Sequence, residues 1–148
     1  MEPERENLLS PEGVNAAVIR ANVALTAELF EQMTKGQEAI VLAAFASGTV
    51  PERLAPVIKK RTESGVPVFL LSDNRRDSHG IRKTKYVAQQ VVEEAGAIPL
   101  RTVNFSNLEE VVGAIREESL KGLRGAELGQ SIYRRFDLEK KQPPMHGN

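Results

Sequence analysis

Two polar stretches of this chain hold side chains with chemistry to offer. The first is Ser47-Gly48-Thr49, which ends the apolar run AIVLAAF (39–45) and leads at once into Pro51 and a charged helical pattern. Two hydroxyls beside the free amides of a helix start can grip a carboxylate, an amide or a phosphate. The same residues can also serve the fold alone. Thr49-x-x-Glu52 has the form of a capping box, in which hydroxyl and carboxylate each satisfy the other residue's backbone amide. Pro51 suits a first turn, because its missing N–H would have had no helical partner. Spacing by itself favours the capping role over the binding one.

The second stretch is SDNRRDSHGIRKTK (72–85), with Arg75, Arg76, Arg82, Lys83 and Lys85 around Asp73 and Asp77. A basic loop of this kind can clamp a phosphate or an acidic substrate, although runs of charge more often form a solvated surface. Ser72 and Asn74, at the end of an apolar strand pattern, can orient a small polar ligand or cap a turn. His79 has no Ser or Asp fixed beside it by any motif, so a general-base role has little support. Tyr86 and Tyr133 fall in helical patterns and read as packing residues. The candidate ligand-binding set is therefore Ser47, Gly48, Thr49, Ser72, Asp73, Asn74 and Asp77. No catalytic residue, metal ligand or cofactor motif is evident, and no cofactor is expected.

These turns need strands and helices to position them. AIVLAAF (39–45) and VPVFLLS (66–72) are apolar on both faces, as strands covered by helices on two sides must be. AIPLRT (97–102) is a shorter strand, and NLLS (7–10) a weaker one. A long helix is predicted from Ser10-Pro11 to Lys35-Gly36, with Val14, Val18, Ala21, Leu25, Leu29 and Met33 on one stripe. Further helices are predicted over 51–64 (Leu54, Val57 and Ile58 inward) and up to Ala95 (Val87, Val91, Val92). Two more start at the Ser106-x-x-Glu109 capping box (Leu108, Val111, Val112, Ile115) and run over roughly 125–139 (Leu128, Ile132, Phe136). Alternating strands and helices imply right-handed crossovers and a parallel sheet. The expected architecture is one α/β three-layer domain over 7–139, of Rossmann or flavodoxin-like type. About four parallel strands carry helices on both faces, between a flexible leader (1–6) and a disordered tail (140–148). Both polar turns leave the carboxyl ends of strands, where such sheets bind ligands near a reversal of strand order.

Composition narrows the function classes. The 148 residues are 41% hydrophobic and 27% charged with a formal net charge of zero, so nothing attracts nucleic acid or an anionic membrane over distance. The basic loop has no interleaved aromatics, which argues against a single-strand nucleic-acid platform. There are no cysteines and two histidines, which removes thiolate chemistry and makes a His-built metal site improbable. The acidic, polar amino end is unlike a signal peptide, and the longest apolar run is too short to span a bilayer. A cytoplasmic protein is expected.

Beyond composition, the ordered set of segments resembles the C-terminal domain of the asparaginase/glutaminase family. AIVLAAFASGTVPERL is similar to that family's G-I-V-L-x-x-F/Y-G-S-G-N-V-P strand and helix start, and SGVPVFLLS to its following G-I/V-P-V-V-x-x-S. KYVAQQVVEEAGAIPL (85–100) is similar to the Tyr-containing helix ending in L-E-x-G-A/V-I-P, and NLEEVVGAIREES (107–119) to the helix T-P-E-x-A-x-x-K-L. ELGQSIYRRF (127–136) sits where family members carry a last helix, and LLSPEGVNAAVIRA (8–21) matches an upstream P-G turn. The resemblance covers roughly 8–136. It implies a four-stranded parallel sheet with helices on both faces.

What the resemblance implies for activity is narrower. The family's nucleophilic threonine and its Thr-Asp-Lys machinery belong to an N-terminal domain, and the T-G-G-T and H-G-T-D-T motifs that carry them are missing from these residues. In bacterial enzymes of one type, an Asn of the G-x-G-N turn reaches a neighbouring subunit's pocket. The matching position here is Thr49, and Ala46 stands where the family has Gly. Asp77 is the nearest match, shifted by a few residues, to an acidic residue ahead of the Tyr-containing helix. The expectation is a chain without amidohydrolase activity of its own. It would act either as a partner subunit or homodimer in an asparaginase-type amidohydrolase, or as a module binding a small amino acid or carboxylate. Type I members use an effector site associated with this domain, which fits the second role. An alternative is a sugar-isomerase (SIS) domain, whose S-x-S-G-x-T-x-E phosphate turn is echoed at 46–52; NLLSPEG lacks the glycine-rich Ser turn those domains carry one strand earlier.

Overall fold

A computed structural model of the chain describes residues 14–22, 24–43, 50–72 and 87–138. The elements run β1 (Ala16–Arg20), α1 (Ala27–Thr34), β2 (Ala39–Ala43) and a 3-10 turn (Glu52–Leu54) that continues into α2 (Ala55–Glu63). Then come β3 (Val68–Ser72), α3 (Val87–Glu94), β4 (Ile98–Asn104), a second 3-10 turn (Phe105–Asn107), α4 (Leu108–Leu120), α5 (Gly125–Tyr133) and a π-helical turn (Arg134–Leu138). The four strands form one parallel sheet in the order β1-β2-β3-β4. This is the single α/β domain expected from the sequence.

The strand order decides where the helices go. Each crossover steps one strand in the same direction, and right-handed crossovers that all step one way fall on one face of the sheet. Accordingly α1, the first 3-10 turn, α2 and α3 lie on one face: Phe30, Leu54, Ile58 and Val92 pack there on Ile19, Ile40, Leu42, Val68 and Leu70. The opposite face would be bare without α4, α5 and the π turn, whose Val111, Ile115, Leu128, Ile132 and Phe136 cover Val41, Phe69, Leu71 and Leu100. All five residues of β2 are buried, as are Val68 to Leu71 of β3. The two-faced apolar runs are thus the two central strands. Among the described strands the order contains no reversal, so the expected ligand position at a reversal of strand order has no counterpart in this sheet.

The long helix predicted from 11 to 35 is not formed. The chain instead makes β1, a turn and α1. In α1 the inward residues are Phe30 and Thr34, whereas Leu29 and Met33, on the predicted stripe, are 45% and 41% exposed. The stripe arose because Val14, Ala21 and Leu25 are core residues of a strand and a turn that happen to stand at helical spacing. An Ala-rich strand of five residues has little local preference for the extended state. It is held by its register on β2, from Ala16 opposite Ala39 to Arg20 opposite Ala43. The candidate strand at 7–10, the leader and the tail lie outside the described residues.

The remaining predicted cores are present. Leu54, Val57, Ile58, Val92, Val111, Ile115, Leu128, Ile132 and Phe136 are buried, and Leu108, Val91 and Val112 pack at the margins. The helix over 125–139 is α5 followed by the π turn. The helix beginning near 106 starts with a 3-10 turn and becomes α-helical at Leu108, with Asn107 in the cap position.

Gly96 shows how tightly the amino end of β4 is docked. It ends α3 at φ +113°, and a Cβ there would stand 2.6 Å from Thr62 Oγ1. That hydroxyl donates to the Ala95 carbonyl at 2.7 Å, so it cannot swing away without losing a bond. Gly96→Ala therefore combines a left-handed backbone with a clash and is expected to destabilise the fold by about 1–3 kcal/mol in urea unfolding. A loss under about 0.5 kcal/mol would contradict this packing.

A polar network joins the helices of the second layer. Glu118, 8% exposed, accepts from Ser131 Oγ at 2.7 Å, and Lys121 Nζ (3.3 Å) and Arg135 (3.2 Å) reach its other oxygen. Arg135 also pairs with Glu117 at 2.8 Å. The Ser131 hydroxyl, supported by Lys121 and Arg135, holds the Glu118 carboxyl below its ordinary value of 4.5, against the opposing effect of burial. A carboxyl that titrates lower when folded contributes its full stability above the ordinary value and loses it as pH falls through the lower, folded one. Glu118→Gln is expected to cost about 1–2 kcal/mol at pH 7 and markedly less at pH 3. An equal cost at both pH values would show that the charge does not matter.

Candidate functional site

Parallel strands present all their carboxyl ends at one edge, and here the pairing is explicit. Ala43 of β2 stands opposite Leu71 of β3, and Ser72 opposite Asn104 of β4. The segments that follow Ala43 and Ser72 therefore leave adjacent central strands at the same edge. Those are the two stretches singled out from the sequence. Ser72 is the last residue of β3. Ser47, Gly48, Thr49, Asp73, Asn74 and Asp77 lie outside the described residues, as do Ala46, the basic loop, His79 and Tyr86. Tyr133 is half-buried at the end of α5.

Beside Ser72 the ladder is irregular. Leu70 pairs with Pro99 and Ser72 with Asn104, so a two-residue step along β3 faces a five-residue step along β4. Such bulges re-aim a strand end. On the other flank, β1 extends the edge. The Ala21 amide donates to Ala43 O at 2.9 Å, after which Asn22 folds the chain into a turn. Asn22 Oδ1 accepts from the Ala24 amide at 2.8 Å and its carbonyl accepts from Leu25 at 3.1 Å. Thr26 then caps α1, its Oγ1 accepting from the Leu29 amide at 3.1 Å.

Helical backbone after the 44–49 segment begins at Glu52, with Pro51 in the cap position at φ −61°, ψ 136°. The capping-box reading placed Thr49 there; the helix instead opens with a 3-10 turn, and Pro51, held at its ring-fixed φ, marks the boundary. Val50 and Leu54 anchor this entry in the core. Between them Arg53 crosses to the neighbouring turn, and its Nε donates to Leu25 O at 2.8 Å. Asn22, Thr26 and Arg53 were missed in the sequence because 11–35 read as one helix; Asn22 four residues ahead of Thr26, with Glu28 in the next turn, was the available sign of a break.

The edge as described is a row of four strand ends, with the turn after β1 braced to the helix entry after β2 by Arg53. Among the described residues no group of three His, Cys, Asp or Glu could hold a metal ion, and no helix is long and apolar enough to cross a membrane. Described residues also line clefts. One of about 230 Å³ opens at the amino edge between Pro67, Gly96, Ile98 and Gly129, and one of about 530 Å³ lies between α2 and α3 at Pro56, Lys59, Val91 and Glu94.

Solved structures share this fold. The L-asparaginase of Thermococcus kodakarensis superposes with a TM-score of 0.60 at 21% identity, over 79% of this chain and 35% of that one. L-asparaginase I of Vibrio cholerae superposes with a TM-score of 0.65 at 19% identity, again over 79% and 35%. The fold is asparaginase-like, and the chain spans about a third of the length of those structures. No protein-family model and no curated protein matches the sequence.

The cap on α1 supports this edge directly. Thr26→Ala is expected to lower stability by about 1 kcal/mol in urea unfolding, with the Leu29 amide losing protection from exchange. Unchanged protection at Leu29 would mean that the cap does not hold the turn.

Proposed function

We propose that this chain is a domain of the type that forms the C-terminal part of L-asparaginases, and that it binds a small amino acid or carboxylate at the carboxyl edge of its sheet. The observation that carries this reading is the side-by-side exit of the chain from β2 and β3 in an asparaginase-like fold. Ala43 and Ser72 end adjacent strands, and in this reading the Ser47-Gly48-Thr49 and Asp73-Asn74 stretches that follow them in sequence, with Asp77 beyond, form the site. Backbone amides and hydroxyls would hold the carboxylate, and Asp73 or Asp77 the amino group.

Amide hydrolysis needs an activated nucleophile in addition to a binding site. No such motif stands in these residues, so the domain is not expected to release ammonia by itself. A second role in the same reading is as partner of a chain carrying the catalytic part, as a hetero- or homo-oligomer in the cytoplasm.

The test is thermal unfolding with L-asparagine, L-aspartate, L-glutamine and a sugar phosphate, beside an ammonia-release assay. Ligand at 100 times its Kd adds about 2.7 kcal/mol, which raises Tm by several degrees in a chain of this size. One amino acid is expected to give that rise, Thr49→Val to abolish it, and no ammonia to appear. A shift with the sugar phosphate alone would favour the sugar-isomerase reading, and ammonia release by the purified chain would sink the claim of no intrinsic activity.

A further inference from the structure

Four large apolar side chains among the described residues are left exposed: Val18 (38%), Leu29 (45%), Met33 (41%) and Leu120 (48%). They stand on three different elements, and the fold gathers them at one margin. β1 is an outer strand of the sheet, paired among the described residues with β2 alone. The Asn15 carbonyl, which accepts from the Glu38 amide at 2.7 Å, and the Ala21 amide, which donates to Ala43, both point toward β2. Backbone groups alternate in direction along a strand, so those of Ala16, Val18 and Arg20 point outward from the sheet.

On one face, α1 turns Phe30 to the core and Glu31 to Lys60 of α2. At about 100° per residue, Leu29 and Met33 fall on the flank opposite α2, which the strand order places over the β1 margin. On the other face, Ser119 of α4 accepts from the Val14 amide at 3.3 Å, just ahead of β1, while Glu118 accepts from Ser131 of α5. By the same spacing Leu120 lies on the side of Ser119 away from Glu118, on the flank away from α5. The margin thus presents outward backbone groups, an apolar side chain between them, and apolar side chains on the helices above and below. Such an edge is a template for another strand, and its apolar flanks mark an interaction surface.

We propose that a second copy of this chain occupies this margin: the two β1 strands pair antiparallel about a two-fold axis at Val18, and two four-stranded sheets become one of eight strands. Self-complementarity selects a second copy as the partner. Centred on Val18, the register uses all five residues of β1, with Val18 opposite its own copy and Ala16 opposite Arg20. Antiparallel pairing also carries Arg20, at the carboxyl end of one β1, to the amino end of the other, where the exposed Glu38 accepts from the Asn15 amide at 3.0 Å. Opposite charges then meet at both ends of the strand pair. This interface belongs to the homo-oligomer of the second role above and rests on that role, not on ligand binding.

The experiment is analytical ultracentrifugation of the full chain over a range of concentrations, with circular dichroism of every variant. Wild type is expected to sediment as a dimer. Val18→Lys sets like charges against each other at the axis and should raise the dimer Kd about 100-fold. Leu29→Glu combined with Met33→Glu should weaken it from the helix flank. These side chains are exposed, so the variants should keep the wild-type circular dichroism. The chain has no cysteine, so Val18→Cys introduces a single thiol. A short bismaleimide should join two copies through Val18→Cys and not through Lys59→Cys, an exposed control on α2. Dimers of wild-type strength in both Val18→Lys and the Leu29/Met33 double variant would overturn this interface and leave the homo-oligomer role standing. A wild type that stays monomeric at every concentration would overturn both. If Val18→Lys does not fold, failure of Val18→Cys to cross-link is the overturning result.

Discussion

Two neighbouring strands, β2 and β3, are buried on both faces, and that double burial is the constraint the other elements answer. Their backbone groups must be paired on both sides, which requires β1 and β4 as outer neighbours. Their side chains must be covered above and below, which requires two helical layers. Crossovers that step always in one direction supply only one of these layers. The second is built by α4, α5 and the π turn, after the sheet is finished. The Glu118 network belongs to that later layer: it clamps helices whose order along the chain no crossover dictates.

The two edges of the sheet differ in consequence. At the amino edge, Gly96 and Gly129 let α2 and α5 approach the strand starts so closely that a Cβ would clash with Thr62 or Ile98. At the carboxyl edge, the described turns are braced by side chains reaching between segments, Asn22 within its own turn and Arg53 across to it. An edge built from braced turns and strand ends can bind without disturbing the core.

The fold seen in part of larger L-asparaginases has both faces of its described sheet covered by helices of the same chain. Neither the fold nor its likeness to those enzymes assigns an activity; residues at the edge decide that.

Much of this was determined by the sequence alone. Apolar runs without alternation at 39–45 and 66–72 mark the two central strands, because only residues buried on both sides can be apolar at every position. Helical spacing names the inward residues of α2, α4 and α5 correctly, because a helix that packs on one sheet face shows its period locally. Glycine at 96 marks a stop for the same local reason. Only the tertiary structure decided the rest. β1 is a strand because β2 pairs with it, and an Ala-rich segment whose core residues fall at helical spacing carries no sign of that partner. The strand order, and with it the absence of a reversal in the described sheet, depends on which segments dock across distance. Arg53 and Asn22 acquire meaning only when two turns 28 residues apart meet. Periodicity reports which way a residue faces; what it faces is settled by contacts between segments far apart in the chain, and those have no local signature.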